Sequence, residues 1–303
     1  MLNLDKSGLD NSYLKRLTAL ETIENLNVRH CHIQRSMPDN DNADDLQTQG
    51  HIVLGQFPLK VLNASLNPTL HRVPVFTEPH LLTELKLVRS GLRSFEGLHA
   101  CVNLRVFYAG TNPVIPSEVW RHMTDLKQLR VLNVLNNKDI HQYDDATRAT
   151  CTQVLSQNTH LTSLDLMGHG IGPEGAAALE SLSRLEKLCL QFCGIGHDGF
   201  QKPPLLNMKE LDVRNNGLTA ESMYHLREAL DQVSQPCLRH LFLSSNPVGN
   251  EGVAYLTPMT YLKRVDLENI DVTAEGMQVL APLVPHLDAL VCEGHLRPQA
   301  EDS

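Results

Sequence analysis

Arg29-His30-Cys31-His32 sets two imidazoles and a thiol side by side, the residue types that bind zinc. In an extended strand His30 and His32 would point to one face and Cys31 to the other, so one ion could not easily collect all three. The favoured reading is a strand end. A second set, His169, Cys189, Cys193 and His197, falls on adjacent coils of the repeat described below, but it contains no paired C-x-x-C. A cysteine-histidine nucleophile drawn from it would lack an orienting third group and oxyanion donors. Gly168-His-Gly170-Ile-Gly172 has neither the lysine nor the G-x-x-x-x-G-K spacing of a phosphate loop. Asp165, Asp212 and Asp266 share one outward strand position, yet Cys189 and Phe242 intervene, and paired-carboxylate chemistry needs closer neighbours. No catalytic residue, no metal site and no cofactor is therefore expected.

The elements that would carry these residues follow from one pattern, Leu-x-x-Leu-x-Leu with a small polar residue three places on. Its copies begin at Ile23, Leu59, Leu82, Leu104, Leu129, Leu161, Leu185, Met208, Leu238, Leu262 and Leu287. Counting the first apolar residue as offset 0, apolar residues at offsets 3 and 5 alternate with outward ones at 2, 4 and 6, the period of a short half-buried strand. Offset 8 is Asn67, Asn112, Asn137, Asn216 and Asn246 in five copies, and Cys31, Ser90, His169, Cys193, Ile270 and His295 in the rest. An amide there can bond backbone groups of adjacent coils that no ladder satisfies. Later copies add an aliphatic residue, then Gly, then Leu one helical turn on, as in Ile171-Gly-Pro-Glu-Gly175-Ala-Ala-Ala-Leu179, which predicts short return helices with acidic first turns. Longer helical patterns run from Asp144 to Gln157 and from Ala220 to Val233, and Pro203-Pro204 predicts an extended return.

One copy buries about four aliphatic side chains at roughly 1.5 to 3 kcal/mol each. Ordering its two dozen or so residues costs on the order of 1 to 2 kcal/mol apiece. A single copy cannot stand alone, and neighbours must stack.

This pattern resembles the leucine-rich-repeat family over about nine-tenths of the chain. The resemblance implies an α/β solenoid, a curved horseshoe with a parallel sheet on the concave face and short helices or irregular turns on the convex face. Copies from Leu161 onward resemble the ribonuclease-inhibitor-like and cysteine-containing classes. Ser90-Gly-Leu92-Arg-Ser-Phe95-Glu-Gly97-Leu98 resembles the 22-residue class of a phosphatase regulatory subunit. Residues 1–22 are expected as an N-terminal helical cap built on Leu9, Tyr13, Leu14, Leu17 and Leu20. Residues 23–295 form the solenoid of about eleven repeats, with an acidic insertion near 37–50, and 296–303 a polar tail.

Net charge of −9 and a pI near 5.9 weigh against nucleic-acid and acidic-membrane partners, which both draw on basic fields. No apolar run approaches membrane-spanning length, and the first residues lack the regions of a secretory signal. Seven cysteines, an odd number without framework spacing, suit reduced thiols. A cytoplasmic or nuclear location is expected.

What remains for function is the outward strand face. Val106, Tyr108, Val131, Leu135 and Met167 form its apolar part, and Asp212, Arg214, Phe242, Arg264 and Asp266 its mixed part. Apolar clusters rimmed by charge mark interaction surfaces, and aromatic and Arg side chains are the usual anchors. The expected function is a non-catalytic scaffold or adaptor binding a partner protein there, alone or within a larger complex. The alternative is a regulator of an enzyme: the resemblances extend to phosphatase-targeting subunits and small-GTPase activators. A ubiquitin-ligase substrate receptor ranks last, since few residues precede Ile23.

Overall fold

A computed structural model describes residues 1–8, 22–31, 33, 57–114, 116–135, 141–201 and 207–292. The expected helical cap at Leu9 to Leu20, the acidic insertion, Asn137, Pro203-Pro204, His295 and the polar tail lie outside them. The chain divides into two compact units, Met1–Leu166 and Met167–Ser303.

In the first unit, parallel strands follow one another in chain order: β1 (Leu2–Asn3), β2 (Asn25–Asn27), β3 (Val61–Asn63), β4 (Glu84–Lys86), β5 (Val106–Tyr108), β6 (Val131–Asn133) and, after the two-residue β7 (His141–Gln142), β8 (Ser163–Asp165). In the second unit, beyond the two-residue β9 (His169–Gly170), the order is β10 (Lys187–Cys189), β11 (Glu210–Asp212), β12 (His240–Phe242), β13 (Arg264–Asp266) and β14 (Ala289–Val291). Each of the eleven copies read from the sequence carries one of these strands, with offset 3 at its centre. The register stacks like on like, Leu26 on Leu62 on Leu85 on Phe107 in the first unit and Leu188 on Leu211 on Leu241 on Val265 in the second. Those central residues are buried, and the residues beside them face outward, as alternation requires.

Strand β1 is one coil more than the sequence reading found. Leu2, Leu4 and Ser7 match offsets 3, 5 and 8 of the pattern, and Leu2 and Asn3 pair with Leu26 and Asn27.

Wherever the offset-7 residue is described, the backbone turns inward there through a left-handed conformation, at Gly168 with φ 78° as well as at non-glycine residues. Lys6, His30, Leu66, Arg89, Thr111, Phe192, Asn215, Ser245 and Asn269 all have φ between 53° and 59°. Non-glycine side chains adopt this region rarely. Here the turn aims the offset-7 N–H at the next coil, as in His30 N to Ser65 O at 3.0 Å and Ser245 N to Glu268 O at 2.8 Å, so the ladder continues past the strand. Here the strand-end reading of Arg29-His30-Cys31 holds and strand alternation does not reach it: β2 ends at Asn27, His30 occupies the turn, and Cys31 is buried behind it, while His32 lies outside the described residues.

Where offset 8 is a described asparagine, its amide closes the coil. The carbonyl of Asn246 accepts from Asn216 N and Leu218 N at 2.9 and 3.1 Å, and its NH2 donates to Val213 O and Leu243 O at 3.0 and 2.6 Å. Asn67, Asn112 and Asn216 repeat the same four contacts on their own neighbours. Asn158, outside the repeat column, serves similarly at a helix end: it accepts from Leu129 N at 3.1 Å and donates to Leu126 O and Val154 O at 2.7 and 2.8 Å.

The returns are helices where the sequence predicts them, α2 (Asp145–Gln157), α3 (Gly172–Ala177), α4 (Ala220–Asp231), α5 (Gly249–Ala254) and α6 (Ala274–Val279), and one earlier return that the sequence reading did not pick out is helical too, α1 (Pro116–Arg121). Asp144 caps α2 by accepting from Thr147 N at 2.7 Å, and Thr219 with Ser222 forms a capping box on α4. The recurrent glycine of these returns is a packing requirement. A Cβ on Gly252 would stand 2.5 Å from Val248 Cγ1 and 3.1 Å from Ala220 Cα, so α5 lies against its own coil and against α4 only because none is there. In the first unit the largest buried side chains include Trp120, Phe95 and Phe107. The two phenylalanines meet edge to face at 5.4 Å, and Trp120 donates to the Tyr143 hydroxyl at 2.7 Å.

Candidate protein-binding faces

The outward strand face of the first unit has a polar end and an apolar end. At the polar end Asn3, Asn27 and Asn63 stack at offset 4, and Asn27 Nδ2 donates to Asn3 Oδ1 at 2.9 Å. Each also accepts from the backbone N–H two residues on, at 3.2 Å, which ties the row to the backbone. Toward β5 and β6 the face becomes Val106, Tyr108, Val131 and Leu135, all half-buried. Lys86 Nζ lies 5.5 Å from the Tyr108 ring centroid while pairing with Glu84 at 2.6 Å, so the ring already carries a cation on its face. Leu135 lies over bare backbone: a Cβ on Gly110 would come within 2.7 Å of Leu135 Cγ and of Asn133 Oδ1. Asn133 donates to Asp165 at 2.8 Å, which occupies that carboxylate inside the face.

The strand face of the second unit is organised around Phe242. The Arg214 guanidinium carbon sits 5.5 Å from the ring centroid and that of Arg264 5.4 Å, one contributed by the strand before and one by the strand after. The two cations are not equivalent. Arg214 donates to both Asp212 oxygens, at 2.9 and 2.5 Å, and approaches Asp266 at 4.0 Å. Its hydrogen bonds to Asp212 push its pKa above the ordinary arginine value, against the opposing effect of partial desolvation. Arg264 is exposed and, among the described residues, has no carboxylate within ion-pair distance.

Of the mixed set read from the sequence, Asp212 and Asp266 are therefore the ones whose role changes. They are only 8% and 9% exposed, Asp212 is taken up by Arg214, and Asp266 accepts from the Ser244 hydroxyl. They position Arg214, leaving Phe242 and Arg264 to face outward. Beside them Glu210 pairs with Lys187 at 3.4 Å and approaches His240 at 3.7 Å. Met167, grouped in the sequence with the apolar residues of the first unit, belongs to the second.

The residues first considered for chemistry are dispersed into structural tasks. His169 is buried, Cys193 is buried with its N–H on Asn216, Cys189 is half-buried, and His197 is exposed with Asp198 at 3.2 Å. Among the described residues no group of three or more His, Cys, Asp or Glu could hold a metal ion. None of the seven cysteines is in a disulfide, and burial pushes Cys101 up to about 12 and Cys151 higher still, which makes both poor nucleophiles.

The sequence listed outward residues without revealing the stack. Its only signal was spacing: Arg214, Phe242 and Arg264 occupy offsets 6, 4 and 2 of three consecutive strands, a diagonal across the sheet.

A family model described as "Leucine Rich repeat" matches residues 157–179 and 234–256. No curated protein sequence matches the chain. Among solved structures an internalin from Listeria monocytogenes is similar, with a TM-score of 0.58 and 17% identity over 93% of this chain and 70% of that one. A chain of the mouse RP105/MD-1 complex is similar with a TM-score of 0.47 and 16% identity over 86% of this chain and 49% of that one. At 17% identity the likeness to the internalin is one of fold.

Proposed function

From the premise that this is a leucine-rich-repeat protein, we propose that it is a non-catalytic scaffold that grips a partner protein with its outward strand faces. The observation that carries this reading is the Arg214–Phe242–Arg264 stack. An aromatic ring held between two guanidinium groups is rigid before any partner arrives, so little side-chain entropy is lost on docking. The exposed Arg264 supplies a charge-assisted donor that a partner carboxylate would satisfy. Tyr108 with Val106, Val131 and Leu135 adds a second, apolar anchor on the first unit. Lys187, Glu210 and the Asp212–Arg214 pair reject wrong partners by charge. The reading includes an intracellular setting, supported by seven cysteines that form no disulfide, several of them in the core.

The test is affinity capture from native lysate, comparing the natural chain with Phe242→Asp combined with Arg264→Glu, and with Tyr108→Asp, each shown by circular dichroism to be folded. A partner captured by the natural chain and lost in the first variant is the expected result. If every partner survives both variants, binding lies elsewhere and the strand-face reading fails.

A further inference from the structure

Tyr224 and Val279 are among the few exposed large apolar side chains, at 45% and 43%, and both lie on the helix side of the second unit. Tyr255, half-buried, stands beside Tyr224. Its ring meets that of Tyr224 edge to face at 5.7 Å, and its coil is tied to the next where Thr257 donates to Val279 O at 3.1 Å. Tyr255, at the end of α5, and Val279, in α6, hold the same repeat position three residues after Gly252 and Gly276, so with Tyr224 they make one apolar row across α4, α5 and α6, which pack side by side.

A second row runs alongside it. Glu221, Glu251 and Glu275 occupy the first turns of the same helices, three or four residues before Tyr224, Tyr255 and Val279, so each helix presents one acid and one apolar side chain on a shared face. All three carboxylates are exposed. Glu221 only approaches His225, at 4.0 Å, and among the described residues Glu251 and Glu275 have no cation within ion-pair distance. The one arginine of these helices, Arg227, is closed on Asp231 at 2.8 Å, and α5 and α6 contain no lysine or arginine. Contacts at the acidic end, Asn250 with Thr273 at 2.9 Å in both directions, hold α5 and α6 in register as Thr257 does at the apolar end. An acidic first turn suits a helix dipole. That stabilisation gives no reason for an exposed Tyr224 ring against the half-buried Tyr255 one turn away.

We propose that this helix face is a second docking surface, separate from the strand face, whose occupant is a basic amphipathic helix of a partner protein, with its apolar side on Tyr224, Tyr255 and Val279 and its Lys or Arg side on Glu221, Glu251 and Glu275. Charge complementarity selects the occupant: an acidic or neutral helix would leave the carboxylate row uncompensated. Length fits as well. Three helices spaced about 8 to 10 Å apart span roughly 16 to 20 Å between the outer two, which a helix of about 11 to 13 residues covers at 1.5 Å per residue.

The experiment is a fluorescence-anisotropy titration of the full chain with a labelled synthetic helix of about 14 residues, leucine on one side and lysine on the other. Controls are the same peptide with glutamate for lysine and a scrambled lysine–leucine peptide. The lysine peptide is expected to bind, more weakly at high salt, and the other two at least tenfold more weakly. Glu221→Gln/Glu251→Gln/Glu275→Gln, and separately Tyr224→Ala/Tyr255→Ala, should each cost at least tenfold. Val279→Lys, at an exposed position that leaves the fold intact, should cost several-fold. Neutralising the exposed Glu78, Glu96 and Asp125 of the first unit should change affinity less than twofold, and Phe242→Ala not at all. The proposal is overturned if the lysine peptide fails to bind, if it binds no better than its scrambled form, or if the Glu78/Glu96/Asp125 variant loses as much as the row variants. Failure here leaves the strand-face reading standing, because that reading rests on Phe242 and Arg264.

Discussion

On the strand face of the first unit the central ring is Tyr108, with one cation above it that is already paired to Glu84, and its neighbours are Val106, Val131 and Leu135. At the equivalent register of the second unit the ring is Phe242, with a cation on each side and buried carboxylates fixing one of them. The backbone beneath is the same in both: three-residue strands, left-handed residues at offset 7, and amides at offset 8. The comparison teaches that the repeat specifies a frame, while the outward residues choose the chemistry without disturbing it. A frame closed by inward bonds leaves its outward positions free to vary.

The strongest way to break this comparison is to attack the frame. Asn246→Ala would strip partners from Asn216 N, Leu218 N, Val213 O and Leu243 O, and Asn112→Ala would do the same in the first unit. With buried unsatisfied groups costing about 1 to 3 kcal/mol each, either substitution should destabilise its unit by roughly 3 kcal/mol or more, read as an earlier urea midpoint. Equal losses would sustain the idea of one frame; a loss in only one unit would refute it.

A smaller effect separates the two arginines. Arg214→Gln leaves the nearly buried Asp212 without its counter-charge and should cost about 1 to 3 kcal/mol of stability. Arg264→Gln should change the unfolding midpoint by less than about 0.5 kcal/mol while weakening partner capture. The reverse pattern would mean that Arg264 is the structural cation. Next, Phe242→Leu keeps apolar bulk but removes the ring, and should weaken capture by the roughly 0.5 to 1 kcal/mol of an exposed cation–π contact. Tyr108→Leu, with its single and already paired cation, should lose less.

The smallest effect is in acid. The bond from Thr147 to the Asp144 side chain lowers the Asp144 pKa below its ordinary value. A depressed carboxylate stabilises the fold above the unfolded pKa of about 3.9 and loses that contribution as pH falls through the folded value. Amide exchange in α2 should therefore rise below about pH 4, and Asp144→Asn, which still caps, should remove the pH dependence. Helices α4 and α6 of the second unit are capped by the uncharged Thr219 and Thr273 and should not follow it.

How much of this was legible beforehand differs by level. Strand positions, the inward face, the Asn column and the helices of the later copies could be read from residue types, because each rests on contacts between offsets that recur in every coil. The first strand escaped because Leu2, Leu4 and Ser7 match the pattern only at offsets 3, 5 and 8. Offset 7 escaped because its left-handed backbone is imposed by the turn onto residues as different as Leu66, Phe192 and Asn215. Alternation along the sequence named Asp212, Arg214, Phe242, Arg264 and Asp266 as outward residues. Which of them remain available was decided only in the folded protein, where Asp212 closes on Arg214, Ser244 holds Asp266, and Phe242 and Arg264 are left facing out. Periodicity reports which side of the sheet a side chain takes. Hydrogen bonds between side chains on neighbouring strands, dozens of residues apart in some cases, settle what that side chain can still bind.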